Sequence, residues 1–302
     1  MLRGTRAAYQ MVFSFLTFNV LTFQPSNANP MLSDETVAVI GAGNIGRALI
    51  GGMISSELID AEHVIATRRT ASALDEMAEE FPGLRTTTDN VAAVQDASLI
   101  LLTIKPQSRA EVITNIRDHV ERDVLVISVL AGITTERLQL GFGQDQPVIR
   151  AMPNTPALVD AGATALSAGT YATDEHLENA QSIFEAVGDA VVVPEEHMDA
   201  VTGLSGSGPA YVYMFIEALT DAGVKQGMSR TDASKLAAQT VYGAAKLAID
   251  TGKHPAILRD EVTTPGGTAI AAVSSLEEHG LRTMLINAVG TATQRSEALN
   301  EE

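Results

Sequence analysis

Short apolar runs alternate with amphipathic helical patterns through the first two thirds of the chain. The apolar runs lie at 36–40, 63–67, 98–104, 124–129 and 147–150. Runs this short are typical of strands that are buried on both faces of a parallel sheet. Because helical patterns separate them, the sequence predicts an α/β fold with a doubly wound parallel sheet and right-handed crossovers.

The pattern changes after about Pro194, where the strand signals stop. Alanine-rich helical patterns follow at 209–226, 231–251, 269–278 and 281–297, separated by Gly and Pro segments that are typical of turns and caps. An all-helical segment of this length beside such a sheet is typical of a subunit interface. The sequence therefore predicts an α/β domain over 31–194 and an all-α dimerisation domain over 195–302.

Residues 1–30 differ from the rest of the chain. They contain Arg3 and Arg6 but no acidic residue, and an apolar stretch over 11–23 that is too short for a transmembrane helix, which needs about 20 residues. A basic start, an apolar middle and small residues at 26–28 imitate a secretory signal peptide. The competing interpretation, which we favour, is that translation begins at Met31 and that 1–30 is an extension outside the folded domains. We expect a cytoplasmic protein without a membrane segment after Met31.

Composition and charge exclude several classes of function. The chain has no Cys, so a disulfide scaffold, a thiolate metal site and a Cys nucleophile are excluded, and no other pattern predicts a metal site. Its net charge of −17 argues against nucleic-acid binding, which needs a basic face. Such a charge is repulsive at low salt, which favours adaptation to high salt. An ordinary acidic cytosolic enzyme is the alternative.

A glycine-rich segment supplies the strongest local signal. It directly follows the first apolar run, opens a helical pattern and reads G-x-G-x-x-G: Gly41, Ala42, Gly43, Asn44, Ile45 and Gly46. In a dinucleotide site the first Gly allows the tight turn, the second lets the pyrophosphate approach, and the third lets the helix pack on the strand. The segment therefore predicts a Rossmann-type nucleotide site; a tight turn without a ligand is the alternative.

The end of the second predicted strand indicates which nucleotide is bound. NAD enzymes place an acidic residue there, whereas this chain has Arg68 and Arg69 followed by Thr70. Guanidinium and hydroxyl groups suit a 2′-phosphate, so NADPH is the predicted cofactor, with NADH as the alternative. A solvent-exposed Arg pair at a helix start would explain the same residues.

Several motifs together resemble pyrroline-5-carboxylate reductase, the enzyme that makes proline. They are A-M-P-N-T-P at 151–156, L-S-G-S-G-P-A-Y at 204–211, D-E-V-T-T-P-G-G-T at 260–268, L-T-I-K-P-Q at 102–107 and S-V-L-A-G at 128–132. The resemblance extends from Val37 to about Leu299. It implies NADPH-dependent reduction of the cyclic imine 1-pyrroline-5-carboxylate by a homodimer, with dimers that can associate into rings. By matching positions, it places further residues around the cofactor: Asn90, Thr103, Ile104, Lys105, Pro106, Leu130, Ala131 and Gly132.

The same resemblance assigns the substrate site to the helical domain. It places Gly267, Thr268 and Ala269 at the substrate. Two Gly before a helix expose backbone N–H groups that suit a carboxylate, and the hydroxyls of Thr264 and Thr268 lie nearby in sequence. We predict substrate contacts for Thr264, Gly266, Gly267, Thr268, Ala269 and Ser205. A plain helix turn or cap is the alternative.

One position departs from the family pattern. The family usually has Thr where this chain has Ala269, so a hydroxyl that could hydrogen-bond the substrate is missing. A protonated imine is already electrophilic, so the chemistry needs little acid–base machinery, and Thr268 is the candidate for a catalytic hydroxyl. We expect His197, His254 and His279 to be surface or cap residues, and Glu195 and Glu196 to be solvated.

Three alternatives are open. A β-hydroxyacid dehydrogenase has the same two-domain plan but needs a Lys where this chain has Val212. An enzyme that reduces NADP with a deazaflavin would not need the Pro-Gly-Gly segment. A cofactor-sensing protein would retain the glycine loop and lose the substrate motifs.

Overall fold

The computed structural model describes Leu32, residues 35–143 and residues 145–301, and the extension predicted over 1–30 lies outside these described residues. Their strands are β1 Val37–Ile40, β2 Val64–Thr67, β3 Arg85–Thr87, β4 Leu99–Leu102, β5 Leu125–Ser128, β6 Val148–Met152, β7 Gly162–Ala168 and β8 Gly188–Val192. Their α-helices are α1 Asn44–Ser55, α2 Ala71–Glu80, α3 Asn90–Val94, α4 Arg109–Ile116, α5 Thr135–Phe142, α6 Asp174–Glu185, α7 Met198–Val201, α8 Gly208–Lys225, α9 Arg230–Thr251, α10 Pro255–Val262, α11 Thr268–Glu278 and α12 Leu281–Glu301.

The strands form one sheet in the order β3-β2-β1-β4-β5-β6-β7-β8. All neighbouring strands are parallel except β6 and β7, which pair antiparallel. The order reverses direction at β1, between β2 and β4, and this switch point is where a doubly wound sheet opens a crevice at its carboxyl edge. The predicted Rossmann-type fold is therefore confirmed, with one antiparallel pair that the sequence did not predict.

Helices cover both faces of the sheet, as the buried residues of β1 demonstrate. Val37 and Val39 point to one face, where they join a core that contains Leu49 of α1 and Phe184 of α6. The alternate residue Ile40 joins the core of the other face with residues of α3, α4 and α5. Because β1 is buried on both sides, it reads as a continuous apolar run rather than an alternating one.

The helical part begins immediately after the sheet. A π-helical turn, Thr202–Gly206, follows α7 and leads into α8, which packs against α9 as an antiparallel hairpin. The last helix α12 returns to pack on α7 and on the π-helical turn. None of the helices in the described part of the chain has the length and hydrophobicity that crossing a membrane requires.

Candidate functional site

The glycine-rich loop lies at the carboxyl end of β1, where the last residue of β2 holds it in place. The backbone N–H of Gly41 donates to Thr67 Oγ1 at 3.1 Å, and that of Ala42 donates to the Thr67 carbonyl at 2.8 Å. The Thr67 hydroxyl in turn donates to Asn90 Oδ1 at 2.7 Å. Buried Thr67 therefore connects the loop to the first residue of α3, a role that sequence reasoning missed.

The physical reason for the absence of a side chain differs among the three glycines of the motif. Gly41 has φ +83°, and a Cβ there would lie 2.5 Å from Ile104 Cγ2. A Cβ on Gly46 would lie 2.7 Å from Thr103 Oγ1, so this Gly allows α1 to approach β4 closely. At Gly43 the nearest atom would be the Gly41 carbonyl oxygen at 3.7 Å, which is ordinary van der Waals contact. The protein itself therefore has no need of Gly at 43, and the space beside it fits an approaching pyrophosphate.

The first turn of α1 carries backbone donors that no N-cap side chain satisfies. Gly43 is the N-cap residue and forms no side-chain cap hydrogen bond. The N-terminus of a helix carries a partial positive charge from its unpaired N–H groups and binds phosphate readily. The donor chemistry and the open space at Gly43 both fit the phosphates of a dinucleotide.

A cleft of about 380 Å³ opens beside this loop. It is lined by Gly41, Gly43, Thr67, Arg68, Arg69, Thr70, Thr88, Asn90, Thr103, Ile104, Lys105, Ser108, Glu111 and Val112. Eight of these are among the predicted cofactor residues: Gly41, Gly43, Arg68, Arg69, Asn90, Thr103, Ile104 and Lys105. The structure thus brings together residues from the ends of β1, β2 and β4, which are far apart in sequence. Three cations make the cleft suitable for an anion.

The remaining predicted cofactor residues do not line the cleft. Ala42, Asn44 and Ile45 belong to the loop and first turn of α1, and Gly46 packs on β4. Pro106 starts the 3₁₀ turn after β4. Leu130, Ala131 and Gly132 follow β5 at the same edge of the sheet, with Leu130 fully buried and Gly132 at φ +71°.

Sequence reasoning missed several residues of the cleft. Thr88 follows β3, a short polar edge strand that has no apolar run, so no signal pointed to it. Ser108, Glu111 and Val112 lie in or just before the first turn of α4, within a helical pattern that resembled other surface helices. Thr70 was not missed in this way, because its hydroxyl was already part of the sequence argument for a 2′-phosphate.

The predicted substrate segment lies on the helical domain, between α10 and the first turn of α11. Gly266 has φ +68°, and Gly267 is the N-cap of α11 without a side-chain cap bond. The N–H of Gly267 donates to the Thr264 carbonyl at 3.0 Å, which forms the tight turn. Thr264 and Thr268 are exposed, and none of the residues from Thr264 to Ala269 lines the cleft of its own chain.

Ser205 lies in the π-helical turn and is held close to the sheet. Its backbone carbonyl accepts a hydrogen bond from Asn154 Nδ2 at 3.1 Å, and its hydroxyl donates to the Val201 carbonyl. A Cβ on Gly206 would lie 2.6 Å from Met152 Cε, so this Gly allows close packing on the end of β6. Ser205 does not line the cleft either.

A buried ionic network joins the two predicted domains. The Arg150 guanidinium, 3% exposed, lies 3.5 Å from Glu195 and 3.6 Å from Asp199. The backbone N–H and the hydroxyl of Thr135 donate to the Glu195 carboxylate at 2.7 and 2.6 Å, and Ser296 Oγ donates to Asp199 Oδ1 at 2.6 Å. The expectation that Glu195 is solvated was wrong, because a buried Arg on β6 recruits it.

The other sequence expectations at charged and titratable positions agree with the structure. The Glu196 side chain is 80% exposed. His254 Nδ1 accepts from the backbone N–H of Ala256 and caps α10, and His279 lies at the end of α11. His197 is 59% exposed and ends a 3₁₀ turn.

Comparisons with known proteins agree with this architecture. A family model described as pyrroline-5-carboxylate reductase dimerisation matches residues 195–299. A model described as NADP oxidoreductase, coenzyme F420-dependent, matches residues 36–132, which is the part that contains the cleft.

The alignments with related proteins extend over almost the whole chain. Pyrroline-5-carboxylate reductase of Methanosarcina acetivorans is 41% identical over 90% of this chain and 100% of its own length. That of Synechocystis is 43% identical over 88% and 98%, and that of Escherichia coli is 39% identical over 89% and 99%.

Among solved structures, the Coxiella burnetii reductase superposes with a TM-score of 0.84 at 36% identity, covering 88% of this chain and 98% of that one. The Plasmodium falciparum enzyme with NADP bound superposes with a TM-score of 0.78 at 28% identity, covering 89% and 99%. The described fold is accordingly that of a dinucleotide-dependent reductase, and the chain belongs to the pyrroline-5-carboxylate reductase family.

Proposed function

We propose that this chain reduces 1-pyrroline-5-carboxylate to L-proline with NADPH, as the last step of proline biosynthesis. The observation that carries the proposal is the match of nearly the full chain to relatives of that name, in a fold whose cleft has an open Gly43 and three cations. The F420-dependent model matches residues 36–132 alone, which leaves the substrate motifs unexplained. Val212 stands where a β-hydroxyacid dehydrogenase needs its Lys.

The cofactor site is proposed to combine the glycine loop with the ends of β2 and β4. The loop and the start of α1 bind the pyrophosphate, and Arg68 and Arg69 neutralise the 2′-phosphate, which supports NADPH over NADH. The other residues that would hold the dinucleotide are Asn90, Thr103, Ile104, Lys105, Pro106, Leu130, Ala131 and Gly132. When bound, the reduced nicotinamide supplies the hydride.

The chain's own residues have mainly an orienting role in this reaction. The N–H groups at the start of α11 bind the substrate carboxylate, since no side chain caps that helix. Gly266 has a positive φ and forms the tight turn that precedes these groups. The Thr268 hydroxyl holds the proton of the imine nitrogen, and the hydroxyls of Thr264 and Ser205 border the substrate. These backbone donors do not titrate, so they remain hydrogen-bond donors at any pH.

The site requires a second copy of the chain. Large apolar side chains are exposed on the helical domain, among them Met214 at 70%, Ile249 at 80% and Ile286 at 71%. Exposed apolar surface of this extent marks an interface. In the proposed homodimer, the Pro-Gly-Gly turn of one protomer faces the cleft of the other, which supplies the contact that is missing within one chain. Dimers associate further into a ring.

The proposed domain limits are 31–194 for the NADP-binding domain and 195–302 for the dimerisation and substrate domain. The start of the dimerisation family model at residue 195 supports a boundary there. We propose a cytoplasmic, salt-adapted enzyme, in keeping with its NADPH-dependent biosynthetic chemistry and its charge of −17.

The experiment is an assay of purified protein in molar salt with 1-pyrroline-5-carboxylate, in which loss of NADPH and formation of proline are measured together. We expect stoichiometric proline and a higher kcat/KM with NADPH than with NADH. Folded, dimeric protein that forms no proline would overturn the proposed reaction. Equal kcat/KM for the two cofactors would overturn the assignment of Arg68 and Arg69.

A further inference from the structure

The cofactor cleft contains one carboxylate among its cations. Glu111 lies in the first turn of α4 and is exposed, whereas the other charged residues that line the cleft are Arg68, Arg69 and Lys105. The ion pairs of the described residues do not engage Glu111, so its oxygens are available to a ligand. A carboxylate repels phosphate, so the Glu111 carboxylate does not fit the phosphates of a cofactor. It fits a group of the ligand that donates a hydrogen bond.

Glu111 shares the cleft with Arg68, Arg69 and Thr88, the side where the adenosine of NADPH would lie. The adenine and the 2′-phosphate of NADPH are attached to the same ribose, so the base lies close to Arg68 and Arg69 if these bind that phosphate. The first turn of α4 lies on this side, because α4 packs against α3, whose first residue Asn90 follows β3 and Thr88. The base would therefore have Thr88 and the start of α4 as its neighbours.

The chemistry of the two adjacent α4 residues matches an adenine ring. Val112 is half-buried and offers an apolar surface to the flat face of the base. The exocyclic N6 amine is the hydrogen-bond donor on the adenine edge, and a Glu carboxylate accepts such a bond. Ribose hydroxyls and the carboxamide of nicotinamide are the other neutral donors of the cofactor, and they lie nearer to the phosphates or at the opposite end.

We infer that Glu111 accepts a hydrogen bond from the adenine amine and thereby makes the enzyme selective for an adenine dinucleotide. This inference rests on the proposed function, because it requires NADPH in this cleft. The bond is charge-assisted, so its loss weakens binding by about tenfold or more. A purely structural Glu111, which stabilises the first turn of α4 through the helix dipole, would have no effect on the choice of base.

The test compares NADPH with its deamino form, reduced nicotinamide hypoxanthine dinucleotide phosphate, in which a carbonyl oxygen that repels a carboxylate replaces the C6 amine and the neighbouring N1 carries a hydrogen. Dissociation constants are measured by nicotinamide fluorescence in molar salt, without substrate, for wild type, Glu111→Ala and Glu111→Gln. Glu136→Ala is the matched control, because Glu136 is an exposed acidic residue in the first turn of α5 that does not line the cleft. Circular dichroism checks that each variant is folded.

We expect wild type and Glu136→Ala to bind NADPH about tenfold more tightly than the deamino form. In Glu111→Ala the ratio of the two dissociation constants falls to about one, because NADPH binds more weakly while the deamino form is unaffected. Glu111→Gln has an intermediate ratio. An unchanged ratio in Glu111→Ala, or an equal gain in affinity for both cofactors, overturns the inference. Selective binding without proline formation contradicts the proposed reaction alone, and a wild type that binds neither cofactor contradicts both.

Discussion

Gly43 is the residue at which the structure separates a ligand requirement from a folding requirement. A Cβ there meets nothing closer than 3.7 Å, whereas Cβ atoms on Gly41 and Gly46 would lie 2.5 Å from Ile104 Cγ2 and 2.7 Å from Thr103 Oγ1. Real Cβ contacts almost never lie below 3.0 Å, so an Ala at either of those two positions would force neighbouring atoms to shift. The absent side chain at 43 is explained by the proposed approach of the pyrophosphate.

We predict that Gly43→Ala raises KM for NADPH about tenfold or more while the melting temperature changes little. The methyl group would occupy the space that a phosphate oxygen needs, and it disturbs no protein atom. Steady-state kinetics and a thermal melt measure the two effects separately.

Gly46→Ala is the matched control, because it adds the same methyl group three residues away. Overpacking against Thr103 should destabilise the protein by about 1–3 kcal/mol. A Gly43→Ala protein that loses as much stability as Gly46→Ala would contradict the ligand explanation.

Ala269 lies in the first turn of α11, next to the exposed hydroxyl of Thr268. We predict that Ala269→Thr lowers KM for 1-pyrroline-5-carboxylate several-fold, because it adds a hydroxyl where the family usually has one, worth about one net hydrogen bond. Adjacent helix residues point about 100° apart, so Thr268 cannot fill the same place.

The control for this substitution is Ala272→Thr, which adds the same side chain one turn later on α11. It should leave KM unchanged. An unchanged or raised KM in Ala269→Thr would refute the predicted substrate contact.

At the scale of elements, β6 and the 3₁₀ turn after β8 are held together by Arg150. Its guanidinium is 3% exposed and meets Glu195 and Asp199, while Glu195 also accepts from the N–H and hydroxyl of Thr135. The start of the helical domain is thereby fixed to the end of the sheet. Hydrogen bonds to a charged group are worth about 1.5–3 kcal/mol each.

We therefore predict that Glu195→Ala lowers the free energy of unfolding by about 2–3 kcal/mol, since it leaves a buried Arg with one carboxylate partner. Chemical denaturation in high salt measures the change. Glu196→Ala is the control, because that neighbouring side chain is 80% exposed, and it should stay within about 0.5 kcal/mol of wild type. Equal effects of the two substitutions would show that the network contributes nothing.

The elements that sequence reasoning located are those with a strong apolar signal. The strands that are buried on both faces appear in the sequence as apolar runs; they are β1, β2, β4, β5 and most of β6. The long helices were located from the Gly and Pro segments that separate them. The short polar edge strand β3 has no such run. In β7 and β8 small and exposed residues dilute the pattern, and α10 is a short helix between two turn segments. Their formation depends on pairing with neighbours that are distant in sequence.

At the scale of the whole molecule, we expect the negative net charge to make the stability of the fold depend on the salt concentration. The chain carries −17, and without Arg3 and Arg6 the remaining residues carry −19 (−17 minus +2). Screening shortens the range of this repulsion to about 3 Å at molar ionic strength. We predict that the melting temperature rises by about 5–10 °C between dilute buffer and molar KCl. A flat response would contradict salt adaptation and favour an ordinary acidic enzyme.

The proposed dimer also makes a prediction at this scale. Ile286 on α12 is 71% exposed in the single chain and belongs to the proposed dimer interface. A charge at this position would be buried when the dimer forms, which is costly. We expect Ile286→Glu to produce monomers, measured by light scattering, with loss of most of kcat/KM because the substrate turn no longer reaches a cleft. Leu140→Glu, at a residue 73% exposed on α5, is the control and should remain dimeric and active. An active monomeric Ile286→Glu would refute the shared site.

The sequence by itself determined the α/β class, the position of the glycine-rich loop and the family, because these depend on local patterns of apolar residues, glycines and short motifs. Only the tertiary structure decided which residues meet across the sheet: Thr67 beneath the glycine loop, Thr88 and Glu111 in the cleft, and Glu195 on buried Arg150. It also placed the Pro-Gly-Gly turn outside its own cleft. The physical reason is that strand order and helix packing bring together residues that are far apart in the chain, and no local pattern records those distances.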